Sequence, residues 1–153
     1  MVVGIPGSAP AGPGRITGGL AYPDRMRMTR DQWDQLIQHA RDDAPNECCG
    51  LLWAREGTVE QVERAENKRH SPYGFELTGA TLIQANDLDD EGYEVAVYHS
   101  HPKSAAEPSQ TDINLAQYPH WLWLIVSLAQ EEADVRAWRI DAGKVDEEPI
   151  EVT

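Results

Sequence analysis

The feature that most restricts how this chain can fold is the run Glu94-Val95-Ala96-Val97-Tyr98-His99-Ser100-His101-Pro102. Its apolar, β-branched character marks a buried strand, and Pro102 ends it. Alternate side chains of a strand share a face, so His99 and His101 point one way while Tyr98 and Ser100 point the other. A strand that buries two imidazoles side by side must bring other polar groups to them. The next candidates along the chain are Ser109 and Asp112. Two imidazoles and a carboxylate converging on one point form a three-ligand zinc set with a position left for water. The plainer readings are packed strand histidines, a serine capping a helix, and an acid favoured by the dipole of the helix's first turn.

The 153 residues suit one domain with its own core. Residues 1–24 are rich in Gly, Pro, Ala and Ser, which predicts a flexible tail ahead of a domain over 25–153. An alternative start at Met26 or Met28 gives the same domain. The tail has neither the apolar run of a signal peptide nor the pattern of a transit peptide, and no stretch is long and apolar enough to span a membrane. The formal net charge of −13 argues against nucleic acid or an anionic membrane as partner and allows a basic protein partner. The two cysteines, Cys48 and Cys49, are adjacent and build no disulfide framework. A cytoplasmic location is therefore expected.

Periodicity gives the elements. A short strand over 25–28 leads into a helix opened by a Thr29–Gln32 capping box, with Trp33, Leu36, Ile37 and Ala40 on one face and Pro45 beyond its end. Strands are expected over 49–54 and 58–64 around a Glu56-Gly57 turn, and a further one over Gly74–Leu77. A second helix covers 78–91 and a short one 109–117. Three late strands cover 121–127, 134–140 and 144–150. Helices and strands mix without strict alternation, so the fold class is α/β (α+β), with one mixed sheet.

Hydrolysis of an amide also needs a group to carry the water proton to the departing amine. Glu47, between the first helix and the strand over 49–54, is the candidate, although from spacing alone a solvated loop glutamate is the plainer reading. Ser109 is placed to donate its hydroxyl to an oxyanion. Cys48 and Cys49 lack the spacing of a zinc knuckle and read as packed side chains. Asp87 to Gly92 resembles half of a calcium loop, but Tyr98 stands where the closing acid belongs. Trp121 and Trp123 fall on one strand face, for packing between layers or, alternatively, a homodimer or carrier-binding surface. His39, His70 and His120 have no convergent partners in the sequence.

Pro45-Asn46-Glu47-Cys48-Cys49-Gly50-Leu51-Leu52, followed by His99-Ser100-His101-Pro102, six residues, and Ser109-Gln110-Thr111-Asp112, resembles the JAMM (MPN+) metalloprotease signature. The likeness runs from about Arg27 to Val152. It implies a cytidine-deaminase-like α/β/α sandwich, one zinc ion held by His99, His101 and Asp112, Glu47 as general acid/base and Ser109 as oxyanion stabiliser. It also implies cleavage after the C-terminal glycine of a ubiquitin-like protein. Within the family the chain most resembles bacterial Mec-type enzymes, which release cysteine from a ubiquitin-like sulfur-carrier protein. Only eight residues separate Asp112 from Trp121, too few for the second ubiquitin-clamping insertion of eukaryotic deubiquitinases. A deconjugase of ubiquitin-like conjugates is the alternative. A metal-free binding module is disfavoured because all five motif positions are present.

Overall fold

The computed structural model describes residues 25–153; the expected tail lies outside the described residues. The chain runs β1 (Met26–Met28), α1 (Arg30–Asp43), β2 (Cys49–Arg55), β3 (Thr58–Ala65), α2 (Gly79–Asp90), β4 (Glu94–His101), α3 (Gln110–Leu115), β5 (Leu122–Ser127), β6 (Asp134–Asp141), β7 (Lys144–Glu148) and β8 (Ile150–Val152). The strands form one mixed sheet in the order β7-β6-β5-β4-β2-β3-β1-β8. None of the described helices is long and apolar enough to cross a membrane.

The two outermost strands, β7 and β8, are separated only by Pro149. β7 pairs antiparallel with β6, and β8 pairs parallel with β1. One residue therefore links opposite edges of the sheet, and the sheet must curl until those edges approach. The expected strand over 144–150 is in fact two. Proline has no N–H to give to a ladder, and Pro149 sits at the corner, its carbonyl accepting from the Met26 amide at 3.0 Å.

Both faces of the sheet are covered, as a sandwich requires. On one face α1 buries Leu36 and Ala40, with Trp33 and Ile37 at the margin, against Leu52, Ala96, Tyr98, Leu124 and Val126. The capping box forms as expected: the Gln32 amide donates to Thr29 Oγ1, and the Thr29 amide donates to Gln32 Oε1. On the other face lie Leu51, Val95, Val97 and Trp121 beneath Ala85 and Leu88 of α2. Trp123 packs there too, so both indoles serve the layer between sheet and α2.

Two further expectations need correction. Gly74–Leu77 forms only isolated bridges, Asn67 to Leu77 and Ser71 to Gly74. The Asn67 side chain, rather than a neighbouring strand, satisfies the backbone there: its amide bonds the Gly74 carbonyl and the Glu76 N–H. The third helix stops at Leu115 instead of Gln117. Pro119 disfavours helical geometry at Tyr118, and Ala116 already turns extended at ψ 106°.

β4 lies between β2, antiparallel to it, and β5, parallel to it. Gly50 pairs with Tyr98, and a Cβ at Gly50 would overlap the Tyr98 ring and the Glu63 carbonyl. Tyr98 is fully buried and its hydroxyl meets His39 Nδ1 at 2.7 Å, so the ring has nowhere to go. Gly50→Ala is therefore expected to lower the unfolding free energy by about 1–3 kcal/mol, read as a lower midpoint in urea denaturation.

Candidate metal centre

The register of β2 on β4 assembles the site. Cys49 pairs with His99, and the Ser100 amide donates to the Cys48 carbonyl at 3.1 Å. Directly opposed residues in an antiparallel pair share a face. Continuing the pairing by two positions brings Glu47 alongside His101, on the face that carries His99. The loop after Pro102 then returns the start of α3 to the end of β4. This placement explains how a glutamate fifty residues upstream joins the histidines.

The convergence is close. His99 Nε2 and His101 Nε2 are 3.2 Å apart, and each is 3.1 Å from Asp112 Oδ2. A tetrahedral ion with bonds of about 2.0–2.1 Å spaces its ligand atoms about 3.3–3.4 Å apart. The three atoms thus outline one face of such a tetrahedron, and two imidazoles with one carboxylate are a fitting donor set for zinc. His101 Nδ1 donates to the Ala105 carbonyl at 2.8 Å, which fixes the tautomer and leaves Nε2 with its lone pair toward the cluster. Among the described residues this is the one group of three or more such side chains that could hold a metal ion.

Ser109 caps α3 and orients Asp112. Its Oγ accepts from the Asp112 amide at 3.0 Å, and its own amide donates to Asp112 Oδ2 at 3.0 Å. The carboxylate oxygen that meets both imidazoles is thereby held from behind. The Ser109 hydroxyl hydrogen has no acceptor among the described residues.

Glu47 is buried, and its Oε1 has no hydrogen-bond partner among the described residues. Burial raises its carboxyl to about 7; the nearby charges of His101, which lowers it, and Asp112, which raises it, contribute less. A buried carboxylate without a partner is costly, and such a group, able to gain or lose a proton near neutrality, suits proton transfer. Burial lowers His99, against the opposing pull of Asp112. Burial also acts to lower His101, but bonds to Asp112 and the Ala105 carbonyl outweigh it and raise the group. For Asp112 burial acts upward, and the hydrogen bonds from His101 and His99 prevail, holding it far below the usual carboxylate range.

Cys48 and Cys49 are both free and buried, Cys49 on the face that carries His99 and Cys48 on the other. Burial pushes both thiols up to about 12. Cys48 packs in the core under α1, and Cys49 Sγ donates to the Glu66 carbonyl at 3.4 Å. His120 pairs with Asp89 at 2.6 Å, outside the cluster.

Four contributors are not evident in the sequence. Phe75 stacks on the His99 ring, with centroids 4.4 Å apart and planes 20° from parallel. It is the chain's one phenylalanine, a compositional signal that could have drawn attention. The carbonyls of Ser104, Ala105 and Ala106 accept in turn from Ser127 Oγ, His101 Nδ1 and Trp138 Nε1, fixing the loop that delivers Asp112. Backbone acceptors leave no trace in residue type.

A family model described as prokaryotic homologs of the JAB domain matches residues 29–141. The CysO-cysteine peptidase of Mycobacterium tuberculosis is 35% identical over 128 residues, covering 80% of this chain and 87% of that protein. A probable TtuB-protein conjugate cleaving protease of Thermus thermophilus is 40% identical over 109 residues, covering 69% and 70% of the two chains. The solution structure of a protein from Desulfitobacterium hafniense superposes with a TM-score of 0.73 at 34% identity, over 84% of this chain and 92% of that one.

The raised Glu47 carboxyl has a measurable consequence in metal-free protein. The folded state favours the protonated form, so its advantage is intact below about pH 4.5 and is lost as pH rises through about 7. Glu47→Gln removes this dependence. In chelator-treated protein the variant is expected to gain stability over the parent between pH 5 and 8, by up to about 3 kcal/mol, measured by denaturation at each pH.

Proposed function

Because this chain belongs to the prokaryotic JAB-domain family, a JAMM/MPN group of hydrolases, we propose that it is a zinc-dependent metallopeptidase that cleaves the amide after the C-terminal glycine of a ubiquitin-like sulfur-carrier protein, releasing cysteine. The observation that carries the proposal is the triangle of His99 Nε2, His101 Nε2 and Asp112 Oδ2, with the buried Glu47 carboxyl nearby, its Oε1 unpartnered among the described residues. The name of the Mycobacterium relative supports cysteine as the leaving group, and its similarity extends over most of both chains. Such a role places the protein in cysteine biosynthesis and in the cytoplasm.

His99, His101 and Asp112 would hold the zinc. When bound, zinc supplies Lewis acidity, lowering the pKa of a water from about 15.7 to about 7. Glu47 takes the proton of the attacking water on its carboxylate and delivers it to the departing amine nitrogen as the C–N bond breaks. Its near-neutral protonation equilibrium lets it act as base and then as acid. The Ser109 hydroxyl hydrogen donates to the carbonyl oxygen as negative charge develops there. Asp112, held far below the usual carboxylate range, stays ionised throughout.

The same chemistry acting on a protein conjugate is a second reading, favoured by the Thermus relative, whose name describes cleavage of TtuB–protein conjugates. Mass spectrometry of products from a CysO–cysteine adduct and a TtuB–protein conjugate, offered in parallel, separates the two. Release of free cysteine from the first alone is expected; cleavage of the second alone rejects the cysteine reading. In the same assay Glu47→Gln should keep its zinc and lose at least about 10²-fold in kcat. Asp112→Ala should instead lose zinc, and full metal content in that variant would remove Asp112 from the ligand set.

A further inference from the structure

The loop between β3 and α2, residues 66–78, touches two parts of the centre at once. The Glu47 amide donates to the Ser71 carbonyl at 2.8 Å, and Phe75 lies against the His99 ring. Both contacts depend on how this loop is folded, and one side chain folds it. Asn67 is buried, and its amide makes four hydrogen bonds. Nδ2 donates to the Glu47 carbonyl at 2.9 Å and to the Gly74 carbonyl at 3.1 Å. Oδ1 accepts from the Arg69 amide at 3.0 Å and the Glu76 amide at 3.1 Å.

The distribution of these bonds is informative. Gly74 and Glu76 flank Phe75, so one amide grips the chain on both sides of the ring that covers His99. The same amide holds the carbonyl of Glu47. With Ser71 on its N–H and Asn67 on its carbonyl, the Glu47 main chain is fixed at both polar groups by the loop. Among the described residues, Glu47 Oε1 has no hydrogen-bond partner. Its position therefore rests on its backbone and on packing. A carboxylate that must move a proton along a short path gains from such external fixing, because small displacements of a reacting group are costly in rate.

We propose that Asn67 is a positioning residue for the reaction, holding the Glu47 main chain in place and, through Gly74 and Glu76, keeping Phe75 on His99. This rests on Glu47 being the proton carrier. Aspartate separates the roles of the amide, since Asn67→Asp keeps the acceptors for Arg69 and Glu76 and sets an oxygen against the carbonyls of Glu47 and Gly74.

The test uses zinc-loaded full-length protein with CysO–cysteine as substrate. In Asn67→Asp, kcat per bound zinc is expected to fall about tenfold or more, with KM within about twofold and zinc content unchanged. By NMR, exchange protection of the Glu47 amide should drop about tenfold while α1 amides keep theirs, and the ring-current shift of the His99 imidazole protons should shrink. If Asn67→Asp does not fold, Asn67→Ser, which removes the reach without adding charge, is expected to move the same readouts in the same direction. Unchanged Glu47 protection with parental kcat per zinc overturns the proposal. So does a variant that loses only zinc or folded fraction while each remaining holoenzyme turns over normally. Glu47→Gln serves as the control: if it still hydrolyses the adduct, the assignment of Glu47 fails, whereas the amide exchange and the His99 shift still decide whether Asn67 holds the segment.

Discussion

The antiparallel pairing of Cys49 with His99 sets the face and depth of the groups at the candidate metal centre. A slip of one residue would turn Glu47 toward α1 and leave the histidines facing a different set of neighbours. The opposite face of the sheet holds this register. Gly50 leaves room for the Tyr98 ring, the Tyr98 hydroxyl meets buried His39, and the Cys48 amide donates to Ser100 Oγ at 2.8 Å. Cys48, Gly50, Tyr98 and Ser100 alternate along the two strands with Glu47, His99 and His101, so a single pair of strands sets the candidate site on one side and packing on the other. Cys48 belongs to that structural face, whereas Cys49 sits opposite His99 on the other. The small, buried, largely protonated side chains of both cysteines suit close packing beside the site.

The polar groups in the centre differ in how completely they are satisfied. Asp112 Oδ2 meets two imidazoles and the Ser109 amide, and its ionised form is strongly favoured. Glu47 Oε1 and His99 Nδ1 are buried without protein partners among the described residues. The contrast matches a division of labour. A group that keeps one charge state benefits from several partners, whereas a group that exchanges protons is weakened by any partner that fixes one state. Local instability at Glu47 is offset by the apolar layers on both sides of the sheet.

Much of this arrangement was legible in the residue order because strands have period two. His99 and His101 share a face for that reason alone, and the Ser109-x-x-Asp112 helix start is visible because capping uses few residue types. Thr29 and Gln32 announce α1 in the same way. Glu47 is different: its proximity to His101 follows from a pairing between distant segments, and only the family resemblance supplied that link before the structure did. The segment from Gly74 to Leu77 has strand-like composition, yet Asn67 takes over its backbone groups from a distance that periodicity does not encode. Pro149 was in plain view, but its effect depends on two edges meeting in space. The carbonyls of Ser104, Ala105 and Ala106 had no signature at all.

The junction at Pro149 also bears on how the molecule is made. β8 follows its partner β1 only after every other strand of the sheet has been made, so β1 keeps one edge unpaired while all of them are synthesised. β2, β3 and β4 can pair before that, and with them Glu47 and the two histidines come together. Asp112 and then β5 and β6 follow in order along the chain. The centre can thus assemble on a sheet whose edges are still open, and β7 and β8 join those edges around chemistry already in place.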